Sequence, residues 1–151
     1  MNPAAEAFAV VLPALLVAHH VADHWAQTPR QAARKGDPGW SGRRACAGHV
    51  TTYTAVTAGL TGLLWWLFDL TVTWGGFLAG QLVSAVTHYV VDRRVPLAWL
   101  ARRVGKGEML EFGAPRPGRD DNPHLGTGAY ALDQSWHWWW LLVTAMCTAV
   151  I

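Results

Sequence analysis

Four apolar stretches of this chain each carry polar side chains four residues apart, the spacing that stacks two side chains on one helix face. His88 and Asp92 end the run Ser84-Ala-Val-Thr-His-Tyr-Val-Val-Asp-Arg-Arg94, with Gly76, Gly80 and Ser84 on the same stripe. His19 and Asp23 repeat the pattern, and Gln27 lies one turn further on. Asp133 and His137 carry it in reversed order, and His49 stands four residues before Tyr53. Any one such pair is an ordinary hydrogen bond within a helix. Recurrence in all four stretches points to a shared site. Ionisable groups in apolar surroundings are strongly penalised unless paired. Three carboxylates and four imidazoles are most simply neutralised by one or two divalent ions, zinc first, with manganese or iron as alternatives. The expected ligands are His19, Asp23, His88, Asp92, Asp133 and His137. His49 has no carboxylate one turn on, so it stands as ligand or as general base, the catalytic candidate. Gln27, Tyr53 and Gln134 are expected to orient these groups.

The elements that must position them follow from composition and breakers. The chain has 151 residues, 52% hydrophobic against 15% charged, with ten tryptophans, which is skewed towards a single all-α membrane domain. Two cysteines, Cys46 and Cys147, supply neither a disulfide framework nor a CxxC pair. The start lacks the basic segment of a cleaved signal peptide, so the first apolar segment is expected to be retained. Four spans are expected at 7–26, 45–68, 74–95 and 132–151, joined by long loops over 28–44 and 96–131 and a tight turn at 69–73. The first loop has room for a short surface helix, and 97–104 is expected to lie along the membrane surface. No internal repeat is evident. Gly76-x-x-x-Gly80 lets helix backbones approach closely. Ten of the twelve Lys and Arg fall in the two long loops and the other two, Arg93 and Arg94, at the end of the third span, which the positive-inside rule places in the cytoplasm with both termini outside. Trp65, Trp66 and Trp74 then mark the outer interface, and Trp25, Trp99, Trp136 and Trp138 to Trp140 the inner one. All four polar pairs reach the cytoplasmic level, while the outer halves of the spans read as apolar, which weakens an ion-transport reading.

The segments Ala18-His-His-Val-Ala-Asp-His-Trp-Ala-Gln27, Ala47-Gly-His49, Thr87-His-Tyr-Val-Val-Asp-Arg93 and Ala131-Leu-Asp-Gln-Ser-Trp-His137 together resemble the domain of unknown function 3307 family. Its members are small four-span membrane proteins of bacteria and phages. The motifs occur in family order over nearly the whole chain, and Leu125-Gly-Thr-Gly-Ala-Tyr130 resembles the actinobacterial branch. His24 departs from the pattern, where an aromatic often follows the aspartate directly. The family is distantly similar to membrane-bound metal-dependent hydrolases, which resemble zinc phospholipase C and nuclease folds. That resemblance implies a metal-dependent hydrolase in the bacterial inner membrane, acting at the cytoplasmic leaflet on a lipid-like or phosphoester substrate.

In this reading the ion supplies an activated water. Lys106, Arg116 and Arg119 of the second loop are expected to meet an anionic headgroup or phosphate. Membrane lipids are the expected partners, and specific nucleic-acid binding is not expected. His20 and His24 read as interfacial, and His124, Asp120 and Asp121 as solvated loop residues. The alternative is a non-catalytic membrane protein whose cluster is a structural metal staple or a proton-linked element.

Overall fold

The computed structural model describes residues 2–114 and 126–151, which form helices and no strand. Helix α1 spans Pro3–Val21 and continues through a π-helical turn, Ala22–Ala26. Short α2 (Pro29–Arg34) leads into α3 (Gly39–Leu67), and α4 spans Trp74–Asp92. Two further short helices, α5 (Val95–Arg103) and α6 (Gly107–Glu111), precede α7 (Gly128–Val150).

The starts are written locally. Asn2 caps α1 through its side chain, and Pro3 fills the first turn, where a missing N–H does no harm. Thr28 and Gln31 form a reciprocal capping box on α2. Thr73 and Thr127 accept from Gly76 N and Tyr130 N at the starts of α4 and α7.

The four long helices form a ring in which α1 packs on α3 and α7, and α4 packs on the same two. Residues near the end of α1 and α4 meet residues near the start of α3 and α7, so neighbours run antiparallel, as in an up-down-up-down bundle. Gly80 fixes the α4–α7 approach, because a Cβ there would overlap the Thr148 hydroxyl. Ala7, Val11, Leu15, Leu141 and Ala145 fill the α1–α7 side, and Leu70 and Val72 of the connecting turn close the end away from the histidines.

The far half of the interior is less apolar than its hydropathy implies. Thr57, Thr61, Gln81, Thr144 and Thr148 are all buried there, and Thr57 Oγ1 donates to Gln81 Oε1 at 2.9 Å. Threonine scores near neutral on hydropathy and returns its hydroxyl to a helix carbonyl, as Thr148 does to Thr144 O. Such residues are invisible in an apolar run.

Of the four spans expected from the sequence, one helical stretch among the described residues, Pro3–Ala26, is long and apolar enough to cross a membrane, with mean hydropathy 1.7. The others carry their polar residues inward and apolar ones outward. On α4, Gly80, Ser84, His88 and Asp92 are buried, while Leu78, Leu82, Val86 and Val90 are exposed.

Candidate metal centre

Asp23 sits on the π turn, not on regular α-helix, and Gln27 N bonds Ala22 O at 2.9 Å to close that wider turn. Single π turns inside α-helices recur at functional sites because they re-aim a side chain. Asp23 Oδ2 stays 3.8 Å from His19 Nδ1, one turn back, while Oδ1 reaches across to α3 and α4.

There it meets His49 and His88, which also face Asp92. His49 Nε2 lies 3.2 Å from Asp23 Oδ1 and 3.3 Å from Asp92 Oδ2. His88 Nε2 lies 3.5 Å from Asp23 Oδ1 and 3.3 Å from Asp92 Oδ2. The two Nε2 atoms are 3.0 Å apart. Ligand atoms of Asp23, His49 and His88 lie within 4.8 Å of one another, a grouping that could hold a metal ion, and Asp92 Oδ2 adjoins both imidazoles. The hydrogen bonds of the protein leave this group incomplete: Asp23 Oδ1 and Asp92 Oδ2 are buried with no hydrogen-bond partner. An ionised carboxylate only accepts, and a neutral imidazole nitrogen without its proton does the same. A cation would satisfy such acceptors, so the residues present fit a divalent ion.

A second, looser grouping adjoins the first. His137 Nε2 lies 3.7 Å from Asp133 Oδ2 and 3.8 Å from Asp92 Oδ1, and it too lacks a partner. Ligand atoms of Asp92, Asp133 and His137 lie within 4.8 Å of one another, as do those of His19, His88 and His137.

Gln134 fixes the ionisation pattern at this edge. Its Nε2 donates to Asp133 Oδ2 at 3.3 Å, which turns its Oε1 towards His19 Nε2 at 3.2 Å. His19 must then carry its proton on Nε2, leaving the Nδ1 lone pair facing Asp23. Two acceptors face each other there, a contact that a cation relieves. Tyr53 stacks on His88 with ring centroids 3.8 Å apart and exchanges a hydrogen bond with Ser84 at 2.9 Å, which holds the imidazole in place. Gln27 lines the mouth of the site, with its Nε2 buried and unpartnered. The Nδ1 atoms of His49 and His88 have no protein partner, whereas metal-bound imidazoles usually pass their second N–H to one.

The fold therefore brings His19, Asp23, His49, His88, Asp92, Asp133 and His137 together. A family model described as a protein of unknown function (DUF3307) matches residues 11–151. The chain belongs to the DUF3307 family. No curated protein and no solved structure matches it.

The cluster of this DUF3307 chain includes a residue that the sequence did not signal. Lys35, in the first loop, places Nζ 2.9 Å from Asp92 Oδ1. It is held there by Arg93, which donates to the Lys35 carbonyl at 2.6 Å and to the Asp37 carbonyl. No helical spacing links Lys35 to Asp92. The only local hint is the Thr28–Gln31 capping box, which gives the loop structure of its own.

Lys106 is exposed at the start of α6 and does not line the cavity beside the cluster. Arg116 and Arg119, and with them Asp120, Asp121 and His124, lie outside the described residues. His20 and His24 stack on each other at the exposed edge of α1. His24 also borders the cavity, which is about 380 Å³ and has Asp23, Asp92 and Asp133 in its lining.

Proposed function

We propose that this DUF3307 protein is a metal-dependent hydrolase embedded in the bacterial inner membrane, acting at the cytoplasmic leaflet on a lipid-like or phosphoester substrate. The observation that carries the reading is the cavity lined by Asp23, Asp92 and Asp133, which sets room for a substrate beside the cluster. Its volume of about 380 Å³ lies within the usual range for small-molecule sites.

Asp23, His49, His88 and Asp92 hold one ion, which supplies Lewis acidity and an activated water at neutral pH. Lys35 occupies Asp92 Oδ1, the oxygen a second ion would share, which supports a single tightly held ion. In phosphoester hydrolysis the water oxygen bonds to phosphorus, the ester P–O bond breaks, and the alcohol leaves with a proton. Asp133 is the most open carboxylate of the cluster and faces the cavity beside His137. This pair takes the proton from water and returns it to the leaving oxygen.

Embedding in the membrane is supported by the reversed polarity of α4 and α7. Their exposed residues include Leu78, Leu82, Val86, Trp138, Trp139 and Met146, and their buried ones Ser84, His88, Asp92, His137 and Thr144. Apolar faces this extended on a soluble monomer are rare, and lipid is the solvent that suits them. The arginine-rich loops support cytoplasmic placement of the site.

One observation favours a second reading: Asp23, His49, His88 and Asp92 would give one ion four protein ligands, as in structural zinc sites, whereas catalytic zinc keeps a position open. The test is turnover of p-nitrophenyl phosphate, bis-p-nitrophenyl phosphate and a short-chain lipid ester by metal-loaded protein. The hydrolase reading expects turnover that EDTA abolishes, with Asp133→Asn losing at least 100-fold while its metal content is unchanged. Full metal occupancy without turnover of any of them leaves the structural staple as the function.

A further inference from the structure

The wall of the cavity facing the carboxylates carries two cations from separate segments, Lys35 and Arg94. Lys35 uses one of its three ammonium donors on Asp92 Oδ1. Arg94 NH2 donates to the Ala32 carbonyl at 3.3 Å, one of five guanidinium donors. Both keep donors for a ligand.

The delivery of Arg94 is built into the backbone. Its φ is 61° and its ψ −42°, a region that L side chains rarely adopt. The side chain then crosses the first loop directly over Gly36, where a Cβ would stand only 2.7 Å from Arg94 Cδ. An unfavourable backbone at one position and a glycine at the other serve the same placement. Such strain persists where the surroundings enforce it and tends to mark functional positions.

Charge and shape then name the ligand. Three carboxylates set against one divalent ion, Lys35 and Arg94 leave one positive charge uncompensated. An ion on one side and two cations on the other clamp a phosphoryl group, as they do at phosphoryl-transfer sites. The cavity is too large for phosphate alone, and its remaining lining includes Leu97 of α5 and Leu110 of α6. Those side chains suit a hydrocarbon substituent.

We infer that Lys35 and Arg94 are the phosphate-binding pair of this site, and that its ligand is a phosphoester bearing an apolar group. This rests on the hydrolase reading for the ion and for what happens to the ligand, and on the cavity lining for the two cations and the apolar group.

The test measures binding of hexyl phosphate and of inorganic phosphate to detergent-purified protein, zinc-loaded and after EDTA treatment. Metal content and melting temperature are recorded for every variant. Hexyl phosphate is expected to bind wild type at least 10-fold tighter than inorganic phosphate. Arg94→Gln, which leaves every carboxylate partner in place, is expected to weaken both by 10-fold or more, and Arg94→Lys to recover part of that loss. Leu97→Asn is expected to weaken hexyl phosphate alone. Unchanged binding in both Arg94→Gln and Lys35→Gln, with the protein folded, overturns the assignment. Equal affinity for the two probes overturns the ester and leaves free phosphate as the ligand. Binding that depends on Arg94 but persists after EDTA, in a protein that turns nothing over, upholds the pair while the hydrolase reading fails.

Discussion

At the level of residues, the cluster leaves buried groups that a cation would satisfy. Asp23 Oδ1 and Asp92 Oδ2 are oxygens without donors, set against two Nε2 atoms 3.0 Å apart. Gln134 extends that logic outward by fixing the proton of His19 on Nε2. Partners that orient metal ligands typically affect affinity by about 10- to 100-fold. Gln134→Ala is therefore expected to lower divalent-ion affinity in that range, measured by competition with a chromophoric chelator. An unchanged affinity would remove Gln134 and His19 from the metal centre. The seven clustered groups were legible in the sequence because each lies on a helix, where spacing alone states which side chains share a face. Lys35 was not legible: its place depends on Arg93, 58 residues away, gripping the loop carbonyls. No local pattern encodes a contact of that kind.

At the level of elements, two devices bring the groups into register. The π turn at Ala22–Ala26 turns Asp23 towards α3 and α4, and nothing in the run Ala22-Asp-His-Trp-Ala26 distinguishes it from α-helix in advance. The close approach of α4 to α7, by contrast, was legible in Gly76-x-x-x-Gly80, since only small residues permit it. Overpacking a tight contact typically costs about 1–3 kcal/mol. Gly80→Leu is expected to destabilise the bundle by about that much and to separate His137 from His88, read as a lower melting temperature in detergent. A melting temperature equal to wild type would mean that the two helices do not meet at Gly80. The short helix for which the first loop has room is α2, and the separate segment expected at 97–104 overlaps α5, whereas α6 falls in a stretch whose glycine, proline and charge content reads as loop.

For the whole molecule, the sequence supplied the all-helical architecture, and membership of the DUF3307 family follows from its match over residues 11–151. Among the described residues only Pro3–Ala26 is long and apolar enough to cross a membrane, because the other long helices include threonines, glycines and ionisable groups in the bundle interior. A four-span arrangement with both termini outside makes a direct prediction. A reporter fused after Ile151 should be active outside the cytoplasm, and one inserted at Gly113 inside it. The reverse result would move the metal centre to the outer leaflet and undo the cytoplasmic placement of the substrate. The claim on which everything else depends is that Asp23, His49, His88 and Asp92 together hold one divalent ion. X-ray absorption and metal analysis of detergent-purified protein test it most directly. The expected result is one ion per chain with four nitrogen and oxygen neighbours at about 2.0 Å and no sulfur, lost in Asp92→Ala. A folded protein that takes up no divalent ion from zinc, manganese or iron would contradict it.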